Sequence, residues 1–226
     1  MSKNLRVFVL IALGELALTA GGRLYSPDLY STFLGTINPL LLVLVVSTVA
    51  APLYAIFDNR FLAGVEPRPA KLRVFIAPLA GACFGLLFIP VDIHFRLPAD
   101  LNVLFPTALL YYPVLGYVVD VLFHLVPFVV LKRVLEIVLP SARNELRALL
   151  ALGPCLLTEP IFQVSLISSE YSVLFKAILF FFLMAYSACQ LFLLLKHGFH
   201  HMLAFRYGHY LVWHMIWGFI RLRLLF

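Results

Sequence analysis

Tyr111-Tyr112-Pro113-Val114-Leu115-Gly116-Tyr117-Val118-Val119-Asp120-Val121-Leu122-Phe123-His124-Leu125-Val126-Pro127-Phe128 decides the fold. The stretch is apolar without the two-residue alternation of a half-buried strand, so it reads as a helix that crosses a bilayer. Asp120 and His124 are four residues apart and share one helix face. An ionisable group in hydrocarbon costs roughly 2.5–3.5 kcal/mol on insertion scales, so it normally faces protein and has a partner.

The rest of the chain repeats this pattern. Hydrophobic residues make up 63% of the 226 and charged residues 12%, with a mean hydropathy of +1.00. Soluble domains run at about 45–50% apolar and about 25% charged. In lipid every backbone group must be satisfied internally. The expected fold is therefore all-α: a polytopic integral membrane helical bundle in one transmembrane domain, 1–226. Its spans fall near 5–21, 34–57, 72–91, 103–131, 145–167, 171–195 and 199–220, about seven crossings with six to eight allowed. Pro, Asp and Asn punctuate the loops at Ser26-Pro27-Asp28, Asp58-Asn59-Arg60, Glu66-Pro67-Arg68-Pro69 and Leu97-Pro98-Ala99-Asp100. The N-terminal helices occupy 1–100, and the polar residues concentrate in 103–220.

Charge places the loops. The net charge of +6 reflects loop Lys and Arg rather than a nucleic-acid surface, and no nucleic-acid partner is expected. With the N-terminus in the cytoplasm, eleven of the 17 basic residues lie inside, from Lys3 and Arg6 to Arg147 and Lys196. Arg23, Arg96, Lys176, Arg221 and Arg223 fall on the other side, and the bias orients the protein. Arg221 and Arg223 sit awkwardly in that count unless the last helix is broken or an eighth crossing is hidden. Residues 1–21 resemble a signal peptide, but Glu15 interrupts the run and Leu18-Thr19-Ala20 is a poor cleavage site, so a retained first helix is expected. Cys83, Cys155 and Cys189 share no ligand spacing and read as small buried hydrophobes.

Polar residues recur in the later spans. Glu159 precedes Pro160 and shares a face with Gln163, while Arg206, Tyr210 and His214 follow one another at four-residue intervals. Two structural pairings explain these residues: Asp120 with His124 within one helix, and Glu159 with Arg206 between two. Chemistry is the other explanation. A base drawn from Glu159 or Asp120, a shuttle from His124 or His214, and an oxyanion donor from Arg206 or Tyr210 would suit hydrolysis. Asp120, His124, Glu159 and His214 would also make an oxygen and nitrogen ligand set for zinc or iron, against which Arg206 stands as a nearby cation. His197, His200 and His201 read as interfacial, with a metal site as the alternative. His209 falls off the polar face. Glu15, alone in the first helix, suits a helix–helix hydrogen bond. No cofactor is specified.

The order of these segments resembles the CPBP superfamily of intramembrane CAAX prenyl endopeptidases and Abi-like proteins, over about residues 103–220. Its motifs are Glu-Glu-x-x-x-Arg, Phe-x-x-x-His and His-x-x-x-Asn/Asp on successive helices. Val119 to His124 resembles the first, Cys155 to Glu159 the second, and Gly198 to Tyr210 the third. The motif Glu, Arg, two His and Asn/Asp fall on Val119, His124, Glu159, Arg206 and Tyr210, so only the acidic character of Asp120 is kept. The resemblance implies a helical intramembrane fold and peptidase-like hydrolysis of a membrane-embedded or lipidated substrate. The contrasting expectation is a catalytically inactive scaffold or accessory subunit of a membrane complex, with its polar residues paired and dry. A transporter is a third class, disfavoured by the small size and the lack of inverted repeats.

Overall fold

The computed structural model describes residues 3–56, 70–98 and 101–226. The turn signals at 58–60 and 66–69, Ala99-Asp100, and the loop charges Arg60 and Arg68 lie outside the described residues. Among those described there is no strand. The helices are α1 (Lys3–Tyr25), a short α2 (Ser31–Leu34), α3 (Pro39–Ala55), α4 (Ala70–Phe95) and α5 (Ala108–Asp120), then α6 (Val126–Val138), α7 (Asn144–Ser165), α8 (Val173–His197), α9 (Phe199–Tyr210) and α10 (Gly218–Leu224). π-helical turns at Val121–Leu125 and Leu211–Trp217 join α5 to α6 and α9 to α10 as continuous rods. Among the described residues seven apolar rods result, as the sequence leads one to expect.

Five of these are long and apolar enough to cross a membrane: Leu5–Tyr25, Phe75–Phe95, Ala108–Val138, Asn144–Ser165 and Val173–His197, with Pro39–Ala55 shorter. Their outer faces are bare hydrocarbon. Leu24, Val173 and Ile137 are 88%, 84% and 80% exposed, and so continuous an apolar exterior belongs against lipid rather than water. This is a multi-pass membrane protein.

Local chemistry sets the boundaries. The Asn38 side chain accepts from the Leu40 and Leu41 N–H groups at 3.0 and 3.4 Å, and Pro39 begins α3. Ser172 caps α8 through the Phe175 N–H at 3.2 Å. Gly198, at φ +90°, ends α8 and turns the chain into α9. The fourth rod begins at Ala108 rather than near 103, because turns at 101–107 carry the chain past Pro106. It then runs on to Val138, beyond the expected 131.

α9 is the central element. It packs against α4, α5 and α8, while α7 lies between α6 and α8. Its contact with α4 is backbone to backbone: a Cβ on Gly81 would overlap the Phe205 carbonyl, and one on Gly208 the Pro78 carbonyl. Small residues at such crossings let membrane helices approach without a hydrophobic driving force. Gly208→Ala should therefore destabilise by about 1–3 kcal/mol or more, the usual cost of overpacking. Gly14, with open space around it, should tolerate Ala. Unfolding midpoints in detergent compare the two, and equal midpoints would contradict the crossing. α1 and α3 join through Phe8, Tyr54, Tyr117 and Phe199, with ring centroids 5.2–6.2 Å apart.

Candidate functional site

Four rods bring their polar residues to one guanidinium. Arg206, on α9, is 1% exposed, and every N–H it owns is used. Nε donates to Asp120 Oδ1 at 2.6 Å. One terminal nitrogen donates to Glu159 Oε1 at 2.9 Å and to the Tyr210 hydroxyl at 3.2 Å. The other donates to Glu159 Oε2 at 2.8 Å and to Gln190 Oε1 at 2.8 Å. The Glu159 contact is the bidentate fork that guanidinium and carboxylate geometry favours. Four-residue spacing places Tyr210 one turn above Arg206, and Asp120 ends α5 where it faces α9.

Gln190 ties the cluster shut. Its amide donates to Asp120 Oδ1 at 2.8 Å while its carbonyl accepts from Arg206. Gln163 donates to Glu159 Oε1 at 2.7 Å. Sequence reasoning passed over Gln190, although an amide inside a rod as apolar as α8 was itself a signal.

His124 is placed differently from its neighbours. It lies on the π-helical turn, fully buried, with Nδ1 3.7 Å from Asp120 Oδ1 and Nε2 3.5 Å from Glu159 Oε2. Both contacts exceed hydrogen-bond length, and neither ring nitrogen has another partner. Asp120 Oδ2, the Tyr186 hydroxyl and Ser187 Oγ are likewise buried without partners.

The structure brings Asp120, His124, Glu159, Arg206 and Tyr210 together. His214 borders the cluster through its ring contact with Tyr210 at 4.9 Å, but its Nδ1 sits 2.7 Å from Asn102 Oδ1 and its ring stacks on Tyr112 at 4.5 Å. That removes it from any ligand set with Asp120, His124 and Glu159. Among the described residues no group of three His, Cys, Asp or Glu is arranged to hold a metal ion, and Arg206 fills the centre where a cation would sit. His197, His200 and His201 gather at the α8–α9 junction, with ring centroids 4.1 and 5.2 Å apart between neighbours and His201 Nδ1 3.0 Å from the His197 carbonyl. His209 is buried against Tyr186 at 4.9 Å. Glu15 accepts from the Tyr207 hydroxyl at 2.6 Å, a helix–helix bond between α1 and α9. The cysteines are free.

A second buried ion pair lies at the other end of α4, and the sequence count misassigned it. Arg221, taken as a loop charge, is fully buried. Its Nε donates to Asp92 Oδ2 at 2.7 Å and a terminal nitrogen to Asp92 Oδ1 at 2.9 Å. The Leu97 and Pro98 carbonyls take further bonds at 2.5 and 2.7 Å. Trp217 Nε1 and the Leu97 N–H donate to Asp92 at 2.7 and 3.0 Å. The Arg221 charge is thus cancelled inside the protein and the last rod stays continuous, while Arg223 stays exposed over the Phe219 ring.

Chemically, the Arg206 cluster is a closed clamp. Both oxygens of Glu159 are held by the guanidinium, and Oε1 accepts from Gln163 as well. Comparison with known proteins finds no family model, no characterised protein and no solved structure that matches this chain.

Proposed function

We propose that the chain is a multi-pass protein of the cell membrane, CPBP-like in build and without catalytic activity, serving as a scaffold or accessory subunit of a membrane complex. The observation that supports this is the bidentate hold of Arg206 on Glu159, with both side chains at most 1% exposed. A general base needs an oxygen within reach of the proton it abstracts, and here each oxygen is engaged. The cytoplasmic N-terminus rests on the Lys and Arg bias. Burial of Arg221 takes one of five charges off the opposite side and favours the same orientation.

A second reading, an intramembrane hydrolase acting on a membrane-embedded or lipidated substrate, is favoured by one observation. π-helical turns occur frequently at functional sites, and the one at Val121–Leu125 presents His124 with both nitrogens unpartnered, 3.5 Å from Glu159. Mass spectrometry of mild-detergent extracts separates the readings. A scaffold brings down the same stoichiometric partner with wild type and with Glu159→Gln. Uncleaved membrane proteins or peptides trapped only by Glu159→Gln would replace the scaffold with the hydrolase and name its substrate.

A further inference from the structure

The formal charges around Arg206 do not balance. One guanidinium meets two carboxylates, Asp120 and Glu159, and all three side chains are at most 1% exposed. An uncompensated charge held away from water is expensive, and buried ionisable groups neutralise rather than bear it. The groups around the cluster are Asp120 and His124 from the fourth rod, Glu159 and Gln163 from α7, Tyr186 and Gln190 from α8, and Arg206, His209 and Tyr210 from α9, with His214 beyond Tyr210 at 4.9 Å between rings and bonded to Asn102. Arginine keeps its proton in proteins. The amide and the phenols contribute dipoles but no positive charge. His209 faces Tyr186 and Tyr210 rather than the carboxylates.

The compensating proton has few places to sit. Both oxygens of Glu159 accept from the guanidinium, and Asp120 Oδ1 accepts from Arg206 and Gln190. The unpartnered buried sites beside the carboxylates are Asp120 Oδ2 and the two nitrogens of His124, whereas the unpartnered His209 Nδ1 belongs to a ring set against Tyr186 and Tyr210. Asp120 and His124 are one turn apart, with Nδ1 3.7 Å from the carboxylate.

We infer that Asp120 and His124 together form a proton-binding site inside the membrane, holding one exchangeable proton that brings the Arg206 cluster to neutrality. On His124 the proton makes the ring a donor toward both carboxylates. On Asp120 Oδ2 it leaves the ring neutral. Both microstates are neutral overall, so the titration belongs to the pair. The inference goes beyond the scaffold reading and holds for a scaffold or a hydrolase.

Infrared difference spectra of the reconstituted protein test it, taken over a pH range that spans ordinary carboxyl and imidazole values. Apart from Glu15, a separate buried carboxyl on α1, the wild type should titrate one buried, solvent-protected group per chain. That signal should vanish in Asp120→Asn, which needs no proton. It should vanish equally in Glu159→Gln, which removes one negative charge while leaving both members of the pair unsubstituted, a loss that a private ionisation of Asp120 would not show. No buried titration in the wild type, or a signal that survives Glu159→Gln, would overturn the inference. Should Asp120→Asn fail to fold, the wild-type and Glu159→Gln spectra decide by themselves.

Discussion

Arg206→Met should cost the bundle on the order of 3–5 kcal/mol, the penalty for stranding buried charge once its partner is gone. Asp120 would keep only the Gln190 amide as donor and Glu159 only the Gln163 amide, neither of which supplies a compensating charge. The loss should read as a large fall in the thermal unfolding midpoint in detergent. It should be partly recovered when Asp120→Asn and Glu159→Gln are added, because a neutral polar core is cheaper than an unpaired ionic one. A midpoint unchanged by Arg206→Met would refute the clamp. The recovery matters as much as the loss, since it separates stranded charge from a cavity left by a long side chain.

Arg221→Met should do comparable damage, about 3–5 kcal/mol by the same argument, at a different place. Asp92 would keep only the Trp217 and Leu97 N–H donors, and two backbone carbonyls would lose theirs. Asp92→Asn should cost less, since the amide oxygen still accepts from Arg221. Arg206 and Arg221 lie roughly 20 Å apart along one rod at about 1.5 Å per residue, and they share no partner. Their losses should therefore add within about 0.5 kcal/mol. Strong non-additivity in the double variant would mean that one cluster already depends on the other.

Composition and the length of apolar runs carry the fold class, because lipid leaves helices as the open choice for such segments. The Glu159–Arg206 pairing was legible for a similar reason: opposite charges inside apolar helices seek each other. Asp92 falls just past the span that hydropathy ends near 91, where a charge needs no explanation. Arg221 was missed because near a chain end it looked like a loop charge. Gln190 carries no charge, so the charge pattern does not single it out. His214 was misplaced because the four-residue spacing from Arg206 assumes an unbroken α-helix. The π-helical turn at Leu211–Trp217 widens that spacing and delivers the ring to Asn102 instead. Sequence periodicity does not announce such a turn.

The Gly81–Gly208 crossing bears on how the bundle moves. The last rod is fastened at three heights: by Arg206 to three neighbours, by Gly208 directly to the backbone of α4, and by Arg221 to the far end of α4. A joint made of two backbones has no side chain that can change rotamer to let it slide. The last rod and α4 therefore form a stator, with α5, α7 and α8 bolted to it by charge. α1 and α3 are held mainly by ring faces, the Glu15–Tyr207 bond, and hydroxyl bonds from Ser47 to Tyr117 and from Phe199 to Tyr54. Ring contacts can roll over one another at little cost. Breathing of this protein should therefore fall on its first two long helices, with faster amide hydrogen exchange in α1 and α3 than in α4 and the last rod.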